Sequence, residues 1–176
     1  MPDLDRIAEA DIDAAADAVQ RWRRAGETGD ATAAAACLAP DVVLISPLTD
    51  QFRFSGREQV RAVLDAVFAV VDDFVFDGAV GEGQTRTLLC RGRVGGQVLE
   101  EVQLLRLDDA GLISEITLFC RPLPALTALM QALGPELARR QGSPGLAAFL
   151  AAATGPLHAM TSLGDRRIVP LAAPRG

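Results

Sequence analysis

Residues 85–121 read TRTLLCRGRVGGQVLEEVQLLRLDDAGLISEITLFCR, and this stretch decides the fold. It contains three runs rich in residues that favour β-strands, separated by Gly95-Gly96 and by the turn from Asp108 to Gly111. Long runs of this kind joined by short turns are typical of an antiparallel meander. The face of the meander that points inward therefore determines which side chains can meet a ligand.

The composition predicts a globular protein rather than a disordered one. A chain of 176 residues can bury a substantial core, and 49% apolar residues exclude a solvated, unfolded chain. The net charge of −6, with no basic cluster, argues against nucleic acid as a partner. The N-terminus lacks the apolar core of a signal peptide, and no uninterrupted apolar run reaches the length of a membrane span. A cytoplasmic location without a membrane partner is predicted.

Cysteine and histidine usage gives no sign of a metal site. Cys37, Cys90 and Cys120 show no C-x-x-C spacing, and His158 is the only histidine. The sequence also lacks a phosphate loop and a dinucleotide fingerprint, so no cofactor is predicted.

The order of predicted elements indicates an α+β fold. Ser55 and Glu58 fit a capping box at the start of the third helix, and Gly134-Pro135 is expected to kink or break the fourth. Helices segregated to one side of a curved, mostly antiparallel sheet make a layered α+β architecture. In chain order, the sequence predicts helices over 9–25 and 31–38, strands over 41–46 and 51–54, a helix after Ser55, a strand over 73–80, the meander, and helices over 125–140 and 145–154.

The segment GDATAAAACLAPDVVLISP, followed by FSGREQVRAVLDAV and by the meander ending in LDDAGLISEITLFCRP, resembles the NTF2-like superfamily. The similarity is greatest to its SnoaL-like and ketosteroid-isomerase-like branches. It places an NTF2-like domain at 1–142 and an extension, a lid or a tail, at 143–176. The resemblance implies a cone-shaped α+β barrel, often dimeric, with an apolar pocket. Its members include isomerases, cyclases, dehydratases, epoxide hydrolases and non-catalytic carriers, so it implies a pocket more strongly than a reaction.

The steroid-isomerase roles do not transfer to this chain. The strand-one position of the isomerase general base holds Ser46, and the two oxyanion-hole positions hold Trp22 and Gln103. A serine without a neighbouring base cannot abstract a carbon-bound proton near neutral pH. The position of the epoxide hydrolases' essential acid falls near Leu118, so that activity is also disfavoured.

Once one side chain of a strand is assigned to a face of the sheet, the faces of all its other side chains follow, because side chains alternate between the two faces. With Gln103 facing the cavity, the glycine turn pairs Cys90 with Glu101. The four-residue turn after the second run then pairs Ile116 with Gln103 and Leu118 with Glu101. The predicted inner face comprises Leu88, Cys90, Leu99, Glu101, Gln103, Leu105, Ile116, Leu118 and Cys120.

Glu101 is the candidate catalytic residue, as a carboxylate on an apolar wall in a chain without lysine. Desolvation would raise its pKa, the direction that a general acid or base near neutral pH requires. The alternative is that Glu100 and Glu101 both lie in water at the mouth of the cone. The predicted ligand-binding residues are Trp22, Ser46, Leu88, Cys90, Gln103, Ile116, Leu118 and Cys120.

Three functions stay open at the sequence level. The favoured one is a pocket that binds a small, mostly apolar or amphipathic molecule, with Glu101 moving a proton in a cofactor-independent isomerase, cyclase or lyase reaction. The others are a non-catalytic carrier and a dimerisation module whose cone is filled by its own side chains. The outer sheet face mixes Leu89, Leu104 and Phe119 with charged residues, which predicts a homodimer through that face.

Overall fold

The structure, a computed structural model, describes residues 17–174. The first predicted helix is present over 17–28, and its expected beginning near residue 9 lies outside the described residues. The elements are helix α1 (17–28), α2 (Ala31–Ala35), strands β1 (Leu38–Ile45) and β2 (Phe54–Ser55), α3 (Arg57–Phe68), β3 (Asp72–Val80), β4 (Thr85–Val94), β5 (Gln97–Leu107), β6 (Ile113–Arg121), α4 (Leu123–Arg140), α5 (Pro144–Arg167) and a final 3-10 turn (Val169–Ala172).

The six strands form one curved, unclosed sheet in the order β2-β1-β6-β5-β4-β3. All neighbouring pairs are antiparallel except β1 and β6, which run parallel. The predicted meander is confirmed as β4, β5 and β6, and the predicted pairing of Cys90 with Glu101 and of Leu88 with Gln103 is confirmed in its first hairpin. The α+β fold class is therefore confirmed.

The predicted register of the second hairpin is wrong by two residues. Gln103 pairs with Leu118 rather than with Ile116. The turn is one residue longer than expected, because the Asp108 carboxylate accepts backbone N–H groups two and four positions further on. Ser114 adds a second residue as a bulge at the start of β6. A shift of two residues leaves every side chain on its predicted face, because the period along a strand is two.

Helices α1 to α4 pack on the concave face of the sheet and divide the core into two clusters. The larger cluster joins α1, α2 and α3 to the central strands, with Trp22, Leu88 and Ile116 among its members. The smaller cluster packs α4 on the β4–β5 turn end of the sheet, where Leu129 meets Leu99. Together the helices close off the concave side of the sheet.

The capping box predicted at Ser55 and Glu58 is wrong. Ser55 still belongs to β2, where it pairs with Val43, and its N–H donates to Gln59 Oε1 at 2.6 Å. Gly56 occupies the N-cap of α3 with φ +85°, a left-handed conformation that glycine adopts without steric cost. The helix therefore begins one residue later than the serine-based signal indicated.

Neither C-terminal helix is interrupted at its internal proline. α4 runs unbroken through Pro135, and α5 continues through Pro156 to Arg167, well past the predicted end at residue 154. A proline inside a helix leaves the carbonyl four residues earlier without its donor. Ala152 and Pro156 are both exposed, so that carbonyl can be solvated by water.

α5 also corrects the expectation that no segment has the length and apolarity of a membrane span. The helical stretch Pro144–Ala172 is long and apolar enough to span a membrane by length and composition alone. Its most apolar 18-residue window has a mean hydropathy of 1.3, and 11% of that window is buried. Its many alanines raise the average without forming an uninterrupted apolar run. Location in the cytoplasm stays a prediction.

Candidate functional site

A cavity lies between the concave face of the sheet and helices α1, α3 and α4. Its free volume is about 70 Å³. One water needs about 10–15 Å³, so the cavity has room for a few waters or a small ligand. The walls are apolar except where Ser46, Glu101 and Gln103 reach them.

Phenylalanine side chains form much of the cavity wall, and the sequence analysis missed them. Phe54, Phe68, Phe74 and Phe76 all line the cavity. Phe74 and Phe76 stack edge-to-face with ring centroids 5.2 Å apart, and Gly26 of α1 leaves room for the Phe76 ring. The alternation of two phenylalanines on β3 was the available signal, since it places both rings on one face of the strand.

A hydrogen-bonded chain of three side chains crosses from α1 to the sheet. The indole N–H of Trp22 donates to Gln103 Oε1 at 2.8 Å, and Gln103 Nε2 donates to Glu101 Oε1 at 2.6 Å. Trp22 and Gln103 are each only 5% exposed. The chain fixes the orientation of the Gln103 amide, because each end of the amide has one defined partner.

Two thiols hold the Glu101 carboxylate from either side. Cys120 on β6 approaches Oε2 at 3.4 Å, and Cys90 on β4 approaches Oε1 at 3.7 Å. None of the ion pairs formed within residues 17–174 includes Glu101. Burial raises the pKa of the Glu101 carboxyl, and the bonds from Gln103, Cys120 and Cys90 lower it by less. Its environment therefore favours the neutral acid.

Cys90 and Cys120 are free thiols on strands that flank β5 from opposite sides. Burial, followed by the neighbouring Glu101 carboxylate, raises the pKa of both thiols. A thiol kept protonated is a weak hydrogen-bond donor and a poor nucleophile. Their contribution to this site is to orient the carboxylate.

The structure brings six of the nine predicted site residues to the cavity wall. Ser46 lies there, but its Oγ already accepts the N–H of Leu48 at 3.2 Å. Leu88 is enclosed in the core with no exposed surface, and Cys90 and Cys120 do not line the cavity but contact Glu101. The six that line it are Trp22, Ser46, Glu101, Gln103, Ile116 and Leu118.

His158 does not reach the cavity, although it is the only imidazole in the chain. It lies between α5 and α4, with Nδ1 3.2 Å from Thr127 Oγ1. The C-terminal extension therefore brings no imidazole to the candidate site.

The fold and the site together are an α+β cone with helices on its concave face and a polar group in an apolar cavity. The sequence model of the SnoaL-like domain family matches residues 19–116, which is more than half of the chain. The protein belongs to the SnoaL-like family, within the NTF2-like superfamily. The matched region includes Trp22, Glu101 and Gln103 and ends before α4 and α5.

Solved structures of similar fold include two at the level of 28–30% identity. A Silicibacter pomeroyi protein with a cystatin-like fold is 28% identical over 73% of this chain and 93% of its own, with a TM-score of 0.66. A Pseudomonas aeruginosa steroid delta-isomerase is 30% identical over 74% of this chain and 93% of its own, with a TM-score of 0.63. An NTF2-like protein from Cytophaga hutchinsonii shares the fold, with a TM-score of 0.52. It is 18% identical over 64% of this chain and 94% of its own. No curated protein matches the chain.

Proposed function

We propose that this protein binds a small, mostly apolar molecule in its cone and catalyses a cofactor-independent proton transfer on it, with Glu101 as the acid or base. The observation that supports this most directly is a carboxyl group on the wall of an aromatic cavity that takes part in none of the ion pairs within residues 17–174. An isomerase, cyclase or lyase step is the corresponding reaction class. SnoaL-like membership supports the pocket and leaves the reaction open.

The arrangement around Glu101 suits proton transfer. The neutral acid can donate its O–H to a ligand carbonyl or leaving oxygen, and the anion formed can accept a proton from carbon. A raised pKa brings the carboxyl toward neutral pH, where both protonation states are within reach during a reaction. The second N–H of the Gln103 amide is an additional donor for a ligand oxygen.

The family resemblance to the steroid isomerases supports a different reacting residue here. The position that the family resemblance assigns to the isomerase base is Ser46, and its Oγ is engaged with the Leu48 N–H. The free volume of about 70 Å³ also favours a ligand smaller than a steroid. We therefore assign the proton-transfer role to Glu101 on β5 rather than to strand β1.

A non-catalytic carrier is the second candidate, favoured by one observation. Both Glu101 oxygens already have partners in Gln103, Cys90 and Cys120. A carboxyl so fully engaged can serve to hold the pocket wall in shape. Binding without turnover would then be the outcome, with the same apolar ligand.

Ligand binding is expected to raise the melting temperature. A ligand at about 100 times its Kd adds roughly 2.7 kcal/mol to the free energy of unfolding, which in a chain of this size raises Tm by about 5–11 °C. The measurement is differential scanning fluorimetry with small ketones, lactones and epoxides.

The matched control for that screen is Leu118→Phe, which adds volume to the cavity wall and should reduce the ligand-induced rise while the unliganded variant still folds. If compounds raise the Tm of the wild type and of Leu118→Phe equally, they bind elsewhere. If no compound in the three classes raises the Tm, the cone is filled by its own side chains and the proposed function fails.

We also propose a homodimer through the outer sheet face, in the cytoplasm. Leu89 and Phe119 are 45% and 57% exposed on that face, surrounded by the ion pairs Arg91–Asp77 and Arg121–Glu100. An apolar centre with a charged border is typical of protein interfaces.

A further inference from the structure

Helix α5 turns its polar side chains inward and its apolar side chains outward. Thr161 Oγ1 shares a 2.7 Å hydrogen bond with Thr127 Oγ1 of α4, and His158 lies against the same hydroxyl. On the opposite side, Phe149 is 67% exposed and Met160 is 71% exposed. Residues 141–164 contain no Asp, Glu, Lys or Arg. This distribution is the reverse of a surface helix that packs its apolar side on a core.

Six of the exposed apolar residues follow a heptad spacing, and Leu157, 42% exposed, lies beside them. The six recur at intervals of three and four residues over most of the helix, the pattern of the a and d positions of a coiled coil. A stripe of this spacing fits the side of another helix. All six members are exposed, and they are Leu146, Phe149, Ala153, Pro156, Met160 and Leu163.

The stripe has nearly the same size pattern when it is read in reverse. Its outer members are large and its two central members, Ala153 and Pro156, are small. Two antiparallel copies would place Phe149 of each opposite Met160 of the other. The small residues at the centre would allow the two helix axes to approach closely. A pattern that matches itself on reversal suits a two-fold interface, in which the same surface meets itself.

We propose that this stripe docks against α5 of a second copy of the chain, in an antiparallel two-fold helix pair. The partner is another copy rather than a lipid surface for two reasons. Helices that lie on membranes carry Lys or Arg on their polar face, whereas the polar face of α5 holds Thr154, His158 and Thr161 and packs on α4. A membrane-spanning helix is apolar all round, whereas one side of α5 carries His158 and Thr161, which meet Thr127 of α4.

The pairing is expected to be weak. The 24 residues of α5 extend about 36 Å, and a strip about 10 Å wide covers roughly 360 Å², about half of the roughly 800 Å² that each partner buries in a standard interface. Association is therefore expected only toward the upper end of the protein concentrations measured. This contact is separate from the outer sheet face, because α4 and the cavity lie between α5 and the sheet.

A charge-swap experiment on the full chain tests both the partner and its direction. Phe149→Glu and Met160→Arg are each expected to weaken self-association by tenfold or more, since each puts a charge into the stripe. The double variant is expected to recover association, because an antiparallel pair brings the introduced carboxylate of one copy opposite the introduced guanidinium of the other. The measurement is sedimentation equilibrium from low micromolar to submillimolar concentration. Ala148→Glu, with the same charge at an exposed position outside the stripe, is the matched control and should change nothing.

Three results of these experiments would overturn the proposal. If the double variant associates no better than the single variants, the antiparallel pairing is wrong. If none of the variants changes self-association, the stripe does not bind a second copy. Flotation with phosphatidylcholine–phosphatidylglycerol vesicles covers the lipid alternative, because vesicle binding lost in Phe149→Glu, with unchanged self-association, would assign the stripe to a membrane surface. Circular dichroism and Tm establish that each variant is folded, as exposed positions predict.

Discussion

Glu101→Gln is expected to lower turnover by about 100-fold or more, because a positioned acid or base contributes roughly 10²–10⁴-fold to a proton transfer. Glutamine keeps the shape of the neutral acid and an oxygen that accepts the 2.6 Å hydrogen bond from Gln103. It cannot exchange a proton at neutral pH. Ligand binding, measured by the Tm increase, should therefore survive while turnover of the same ligand is lost.

The same substitution is expected to change the pH dependence of stability. The pKa of Glu101 is raised in the folded state, mainly by burial, so the folded protein binds this proton more tightly than the unfolded chain. The free energy of unfolding contributed by this group then falls as pH rises from the unfolded pKa to the folded pKa. The loss is up to about 1.4 kcal/mol for each pH unit in that window. Glu101→Gln should remove this slope and be the more stable protein at the alkaline end.

Glu100→Gln is the matched control for both measurements. Glu100 is the adjacent residue, its side chain is 51% exposed, and it pairs with Arg121 on the outer face. Neither turnover nor the slope should change in this variant. Retained turnover in Glu101→Gln would assign the protein to the carriers, and an unchanged pH slope would mean that the carboxyl is not desolvated.

Gln103→Leu is expected to destabilise the fold by about 2–4 kcal/mol, since each buried polar group left without a partner costs about 1–3 kcal/mol. It removes the acceptor of the Trp22 N–H and a donor to Glu101 in a nearly sealed environment. Trp22→Phe removes the other partner of the first bond and should cost about 1–3 kcal/mol, in part by leaving Gln103 Oε1 unpaired. Urea unfolding of each variant gives the two values.

The double variant Trp22→Phe/Gln103→Leu separates the hydrogen bond from packing. It leaves neither an unpaired indole N–H nor an unpaired amide oxygen, so its cost should be smaller than the sum of the two single costs. A strictly additive result would show that the 2.8 Å contact between Trp22 and Gln103 contributes nothing of its own. The cavity would then lack the rigid polar end on which ligand orientation depends.

The pairing of β4 with β5 was predicted correctly, because it depends only on a short turn and on the alternation of side chains along each strand. A glycine pair between two alternating runs is enough to pair Cys90 with Glu101, and alternation is enough to place Glu101 on the same face as Gln103. The β5–β6 register was missed, because it depends on side-chain bonds of Asp108 and on a bulge at Ser114. The extent of α5 was also missed: the helix was predicted to end at residue 154, whereas it continues through Pro156 to Arg167, where the exposed carbonyl of Ala152 tolerates the missing donor.

By itself, the sequence determined the meander, the fold class and the set of side chains that share a face with Glu101 and Gln103, because these follow from short turns and a period of two residues. That this face points inward was an expectation from the family resemblance. Only the tertiary structure decided what surrounds that carboxyl. The phenylalanine wall comes from β2, α3 and β3, the indole from α1, and the two thiols from β4 and β6. Contacts between residues far apart in the chain depend on how the sheet curves and how the helices pack. No local pattern in the sequence encodes those distances.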